Sequence, residues 1–264
     1  MTYSYEHHST ILGVEGAVAT ITLNQPKKHN AFDDNVINEL LTHLESVTNN
    51  ANIRVLILKA EGKHFCAGAD LDWMKRMGQL DYSENRRDAQ NLAKLMSTLN
   101  SLPIPTVVKV QGAAYGGAIG LIACCDIAIA SDNARFCLSE VKLGLAPATI
   151  GPYVVDAMGA RRCRDLFLTA RVFNASDAYE YGLLHQIRPL EELDEAIKST
   201  LTQLLQASPN ACKAAKKLIS DLSQSQDDPS EMTSNLIAQL RVSDQGQEGL
   251  SAFFEKRLPS WRSS

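Results

Sequence analysis

Two glycine-containing segments carry the residue types and spacing best suited to chemistry. The first is His64-Phe65-Cys66-Ala67-Gly68-Ala69-Asp70-Leu71, a few residues after the apolar run Val55-Leu56-Ile57-Leu58. The second holds Gly112, Gly116, Gly117 and Gly120 and follows the β-branched run Thr106-Val107-Val108-Lys109-Val110. Beyond Gly117 it enters an apolar, helix-compatible stretch. Small residues let a backbone come close to a ligand, and the N–H groups that open a helix have no partner within it. Two such N–H groups, one from each segment, could bind a developing oxyanion. Each segment taken alone also fits a tight turn with close helix–sheet packing. A dinucleotide-binding turn is a poorer fit. A strand precedes the glycines and Glu140 lies beyond them, but the G-x-G-x-x-G spacing is absent. No P-loop, H-E-x-x-H or G-x-S-x-G pattern occurs.

Strand-like and helix-like patterns alternate around these segments. Ala17, Ala19, Ile21 and Leu23 share one face of a period-2 run. Asp126–Ala130 and Phe136–Leu138 also read as strands, and short apolar strands of this kind are usually buried on both faces. Val36, Ile37, Leu40, Leu41, Leu44 and Val47 form one helical stripe, and Leu92, Leu95, Met96 and Leu99 form another. The strand signal fades after about residue 175. A short helix is expected from Ser176 to Tyr181, stopped at Gly182, and a longer stripe runs from Leu193 to Leu205. Ser208-Pro209 is an N-cap followed by proline and opens a helix to Leu222. A last helix is expected from about Met232 to Leu240. The reading is an α/β core over residues 1–190 and a helical region over 191–264.

Composition narrows the function classes. Of 264 residues, 45% are hydrophobic and 21% charged, enough for a sizeable core. Lys plus Arg is 26 and Asp plus Glu is 30, a net charge of −4, which is a poor match to a nucleic-acid surface. The six cysteines form no C-x-x-C pair and are expected as reduced, mostly buried thiols in a cytoplasmic protein. No run reaches the ~18 apolar residues of a membrane span. The stretch Met1–His8 reads as no secretory signal. The histidines are scattered, so no metal site is expected.

Taken together the segments resemble the crotonase superfamily, the enoyl-CoA hydratase/isomerase family. Four ordered stretches carry the resemblance along nearly the whole chain: Leu23–Phe32, like L-N-x-P-K-x-x-N-A-L; Phe65–Leu71, like F-x-A-G-A-D-L; Gly112–Asp126; and Glu248–Arg257, like E-G-x-x-A-F-x-E-K-R. The resemblance implies a ClpP-like spiral of ββα units with a C-terminal helical region that builds a homotrimer or a hexamer (a dimer of trimers). It implies acyl-CoA thioesters as substrates, with coenzyme A arriving as part of the substrate and no separate cofactor. By position, the N–H groups of Ala69 and Gly117 would form the oxyanion hole. Coenzyme A contacts would fall on Lys27, Lys28, Ala31, Ala67, Asp70, Leu71, Phe253 and Lys256. Phe253 reads first as a helix-packing residue that also brushes the coenzyme A. Trp73, Met74, Gly120 and Ala148 would line the acyl pocket.

The chain departs from the family at two places. Hydratases of the family carry a glutamate three residues after the second oxyanion donor and another about twenty further on; here the first position is Gly120 and the second is Glu140. The family turn P-G-x-G-G reads Pro147-Ala148-Thr149-Ile150-Gly151. Glu140 is thus the candidate acid/base, with a raised pKa expected near an apolar acyl pocket. One glutamate suffices for isomerisation between C2 and C4, could serve hydration if another group holds the water, or could belong to a non-catalytic acyl-CoA binder. The stretch from Gly116 to Ala148 is similar to a bacterial branch that hydrates methylglutaconyl-CoA or carboxygeranoyl-CoA. On that likeness, Gly120 is expected to leave volume beside C3 for a carboxylated branch whose carboxylate helps place the water.

Overall fold

Period-2 alternation in the apolar runs becomes a sheet covered on both faces. The computed structural model describes residues 8–224 and 227–262. Its strands are β1 (Thr10–Glu15), β2 (Val18–Leu23), β3 (Val55–Ala60), β4 (Thr106–Val110), β5 (Ala113–Tyr115), β6 (Ile127–Ser131), β7 (Arg135–Cys137), β8 (Phe173–Asn174) and β9 (Gln186–Arg188). Its helices are α1 (Asp34–Asn49), α2 (Leu71–Met77), α3 (Tyr82–Asn100), α4 (Gly117–Ala123), α5 (Gly151–Met158), α6 (Ala160–Thr169), α7 (Ala175–Glu180), α8 (Leu193–Gln206), α9 (Pro209–Gln224), α10 (Ser230–Val242) and α11 (Asp244–Phe254).

The larger sheet has the order β1-β2-β3-β4-β6-β9, antiparallel only between β1 and β2. Leu56, Leu58, Val108 and Val110 join the main core with Leu40 and Leu44 of α1 and Leu95 and Leu99 of α3. Their neighbours Val55, Ile57, Val107 and Ile129 lie in a second core under Leu193 and Ile197 of α8. A parallel strand buried on both faces needs apolar residues at every position, which explains the continuous runs in the sequence. Arg54, just before β3, donates to the carbonyls of Leu205 (2.9 Å), Ala207 (2.7 Å) and Trp261 (2.8 Å) and so ties the C-terminal region to the sheet.

A second, smaller sheet gives the fold its winding. It has the order β5-β7-β8 and is extended by single parallel bridges at Cys66↔Ala114 and Phe32↔Ala69. Each turn of the chain thus adds one strand to the large sheet, one strand or bridge to the small one, and then helix. β4, β5 and α4 form one such ββα unit, and β6, β7 and α5 form the next. This is the crotonase spiral that the sequence led us to expect.

The corner between β4 and β5 is Gly112, at φ +61°. A Cβ there would stand 2.7 Å from His64 Nδ1 and would overlap the Lys63 carbonyl oxygen. Gly112→Ala combines a left-handed backbone with that overlap, and we expect it to cost about 2 kcal/mol or more, read as a lower urea midpoint at unchanged slope.

The helices past residue 230 depart from the sequence reading. Instead of one helix over 232–240 there are two, α10 and α11. Ser243 ends the first and caps the second, accepting the Gly246 N–H at 3.1 Å. Gly246 and Gly249 weaken helix propensity and hide α11 from a stripe search. The short helices α2, α5 and α6 were also missed. A segment of seven to ten residues shows too few turns for a clear stripe. Five of the six cysteines are buried and Cys212 is half-buried, all as free thiols. Burial pushes Cys66 and Cys125 up to about 12, which keeps them protonated and inert.

Candidate functional site

The small sheet brings the two glycine segments side by side. Cys66 donates to the Ala113 carbonyl and accepts from the Tyr115 N–H, both at 3.0 Å. Three residues beyond this bridged pair, on either segment, stand Ala69 and Gly117. On its other side the first segment is bridged to Phe32, whose N–H reaches the Gly68 carbonyl at 2.8 Å. The Phe32 carbonyl accepts the Asp70 N–H at 2.7 Å. In a parallel bridge of this kind the central residue's own N–H points away from the bridging strand. Ala69 is that residue, is exposed, and its N–H donates to no described group.

Gly117 opens α4, so its N–H has no intrahelical acceptor. It is preceded by Gly116 at φ +54° and ψ −123°, a conformation reserved for glycine. The Gly116 N–H is held by the Cys137 carbonyl at 2.9 Å, which fixes the entry into α4. A Cβ on Gly117 would lie 3.9 Å from the Phe32 ring. Phe32 therefore borders both candidate donors, although in the sequence it stood only as the last residue of the Leu23–Phe32 stretch.

Glu140 lies close by, three residues past the second strand of the next unit. β7 pairs with β5, and the chain leaves β7 into a single 3₁₀ turn over Glu140–Leu143, ended by Gly144 at φ +75°. The Leu145 N–H donates to the Glu140 carbonyl at 3.0 Å and closes that turn. Glu140 Oε1 sits 3.3 Å from where a Cβ on Gly116 would stand. Its Oε2 is buried with no hydrogen-bond partner among the described residues. Burial raises the Glu140 carboxyl above the usual carboxylate range, and its own backbone N–H offsets part of this.

A stability prediction follows from that direction. The folded state prefers neutral Glu140, so the penalty is absent below the unfolded carboxyl value of about 4.3 and complete above the folded one. Glu140→Gln is expected to melt higher than the natural chain at pH 7. The gap should close as the pH falls below about 4. Thermal unfolding at several pH values checks this. A gap that widened toward acid would contradict the burial of the charged form.

The remaining sequence candidates fall into distinct surroundings. Lys27 and Lys28 are exposed in the turn before α1, and Lys28 Nζ lies 3.2 Å from an Asp70 carboxylate oxygen. Asp70 caps α2 by accepting the N–H groups of Trp73 and Asp72. Those bonds and Lys28, the Trp73 amide foremost, hold its carboxyl below the usual range. The Ala67 N–H is taken by the His29 carbonyl at 3.0 Å and the Ala31 N–H by the Lys28 carbonyl at 3.1 Å, so neither is a free donor. Leu71 and Ala148 are exposed, and Met74 is half-buried. Trp73 is half-buried and packs on the main core. Lys256 is exposed at φ +53° just past α11.

Two readings are corrected. Phe253 is not packed within its own chain: it is 77% exposed and meets the Phe254 ring edge-on. Gly120 leaves no opening for a substrate branch. It is buried, and the room its side chain would take is filled by Ile150, whose Cβ lies 2.7 Å from the would-be Cβ, and by Met96 Sδ at 3.2 Å. Ile150 did not figure among the sequence candidates, although the altered turn Pro147–Gly151 was its visible signal.

The model of the enoyl-CoA hydratase/isomerase family matches residues 13–264. The chain belongs to that family. An enoyl-CoA hydratase from Shewanella pealeana, known as a crystal structure, superposes with a TM-score of 0.94 at 48% identity over 97% of each chain. AtuE of Pseudomonas aeruginosa superposes at 0.92 with 33% identity, over 96% of this chain and 99% of its own. A trans-2-decenoyl-[acyl-carrier-protein] isomerase of Streptococcus mutans is 31% identical over 254 residues, 95% of this chain and 97% of the relative. The enoyl-CoA hydratase/isomerase fold thus spans essentially the whole chain, and both reaction types occur among its relatives.

Proposed function

We propose that this chain adds water to the double bond of a 2-enoyl-CoA. The Ala69 and Gly117 N–H groups hold the thioester oxygen, and Glu140 transfers the proton at C2. What carries the reading is the placement of a carboxyl with a buried, unpartnered oxygen against Gly116, the residue before one of the two unpaired N–H groups. Water attacks C3, the electron pair moves through C2 onto the thioester oxygen as an enolate, and the proton the attacking water sheds restores the Glu140 carboxyl once that group has given its own proton to C2. Fixed donors aimed at that oxygen stabilise the charge without rearranging. The enolate collapses as C2 takes a proton. A carboxyl whose burial favours the neutral form is suited to donate it, because a useful acid/base titrates near the working pH.

The substrate we favour is branched at C3 and carboxylated, such as 3-methylglutaconyl-CoA. With Gly120 and Ile150 where a second acid would stand, the protein offers no carboxylate from α4 to hold the water, and a carboxylate on the substrate supplies one. Lys27, Lys28 and Lys256 are assigned to the coenzyme A phosphates, and no cofactor beyond the substrate's own coenzyme A is required. We assign the active form to a cytoplasmic homotrimer or dimer of trimers. Exposed Leu250, Phe253, Phe254 and Leu258 form the kind of apolar surface that a subunit contact covers.

Isomerisation is the second reading, favoured by the same lone carboxyl and by the isomerase relative. Absorbance at the conjugated enoyl-thioester band separates the two. We expect the band to fall with 3-methylglutaconyl-CoA, and to fall more slowly with crotonyl-CoA. A band that grows from a 3-enoyl-CoA while neither conjugated ester is consumed would replace hydration with isomerisation. Binding without any change would leave a non-catalytic acyl-CoA binder.

A further inference from the structure

Gly120 is an interior residue of α4 whose backbone does not require glycine, since its φ is not positive. Glycine at such a position costs ~1 kcal/mol against alanine, so something else must select it. The neighbour is Ile150, 2% exposed, at the N-terminal boundary of α5. Its side chain enters the notch that Gly120 leaves in α4, with Met96 of α3 behind. The notch lies one helical turn beyond Gly117 and its unpaired N–H. Ile150 itself lies ten residues after Glu140. The contact therefore joins the element carrying one oxyanion donor to the segment carrying the carboxyl.

We infer that Gly120 and Ile150 are a volume-matched pair, and that Ile150 is a specificity-determining residue. By filling the notch it denies position 120 any side chain and leaves Glu140 to work without a second acid from α4. The catalytic half of this inference rests on the proposed role of Glu140; the volume match does not. Side-chain volume can be exchanged between the two positions but not added at one alone. Alanine at 150 is no remedy, because the Ile150 Cβ itself stands 2.7 Å from the would-be Cβ of residue 120. Only glycine at 150 opens the space.

Four variants test this: Gly120→Glu, Ile150→Gly, the two combined, and Gly120→Gln combined with Ile150→Gly. Thermal midpoints come first. Each single change should lower the midpoint by several degrees, one by overpacking and one by leaving a cavity. Both double variants should melt above either single variant. A double variant melting at or below the less stable single would overturn the volume match. Turnover comes second. The Glu-containing double should hydrate unbranched crotonyl-CoA about tenfold or more faster than its Gln-containing counterpart, which has the same volume and no acid. Equal rates in two equally folded doubles would overturn the role in specificity. Coupled midpoints with no turnover of any ester by any variant or by the natural chain would instead sink the Glu140 reading and leave the volume match standing.

Discussion

Glu140→Gln is expected to lower kcat about 10²–10⁴-fold while changing the affinity for the enoyl-CoA by no more than a few-fold. Glutamine keeps the size and the polar end but cannot exchange a proton at C2. The carboxyl it replaces has one oxygen beside Gly116 and the other buried without a partner among the described residues. No described neighbour holds that second oxygen in a structural network, so the substitution breaks nothing that supports the fold. Loss of turnover with intact binding, measured by steady-state kinetics and by calorimetry on the same sample, is the signature of a proton carrier. A proportionate rise in KM with kcat unchanged would make Glu140 a binding residue only.

Ala69→Pro should lower kcat about 10²–10³-fold, the usual effect of removing one oxyanion donor. The donor is a backbone N–H, so side-chain truncation cannot reach it and proline can. The Phe32 bridge uses the Gly68 carbonyl and the Asp70 N–H, not the N–H of Ala69. Proline therefore deletes the proposed donor while leaving the bridge bonds in place. Ala69→Gly, which keeps the N–H, is the control and should retain most of the activity. If the proline variant turned over as fast as the glycine variant with its melting midpoint intact, Ala69 would not serve as a donor.

The inner strands of the larger sheet, β2, β3, β4 and β6, were legible because they are largely buried and mostly apolar, whereas the edge strands β1 and β9, mostly exposed or half-buried, leave no such run. The two glycine segments were legible because glycine clusters after strands are scarce and the family motifs around them are ordered along the chain. The pairing that brings Ala69 level with Gly117 was not, since single bridges such as Cys66↔Ala114 leave no periodic trace. The fate of Gly120 escaped for a related reason. A missing side chain reads as empty space in a sequence, and whether that space is filled depends on a residue thirty positions away. Phe253 misled in the opposite sense: an apolar side chain on a helix reads as packed, yet it is exposed within the single chain.

The most direct test of the central claim is a crystal structure of the Glu140→Gln protein with a bound 2-enoyl-CoA. The thioester oxygen is expected within about 3.1 Å of both the Ala69 and Gly117 nitrogens, with C2 facing residue 140. A thioester oxygen bonded elsewhere, with either nitrogen left unused, would contradict it.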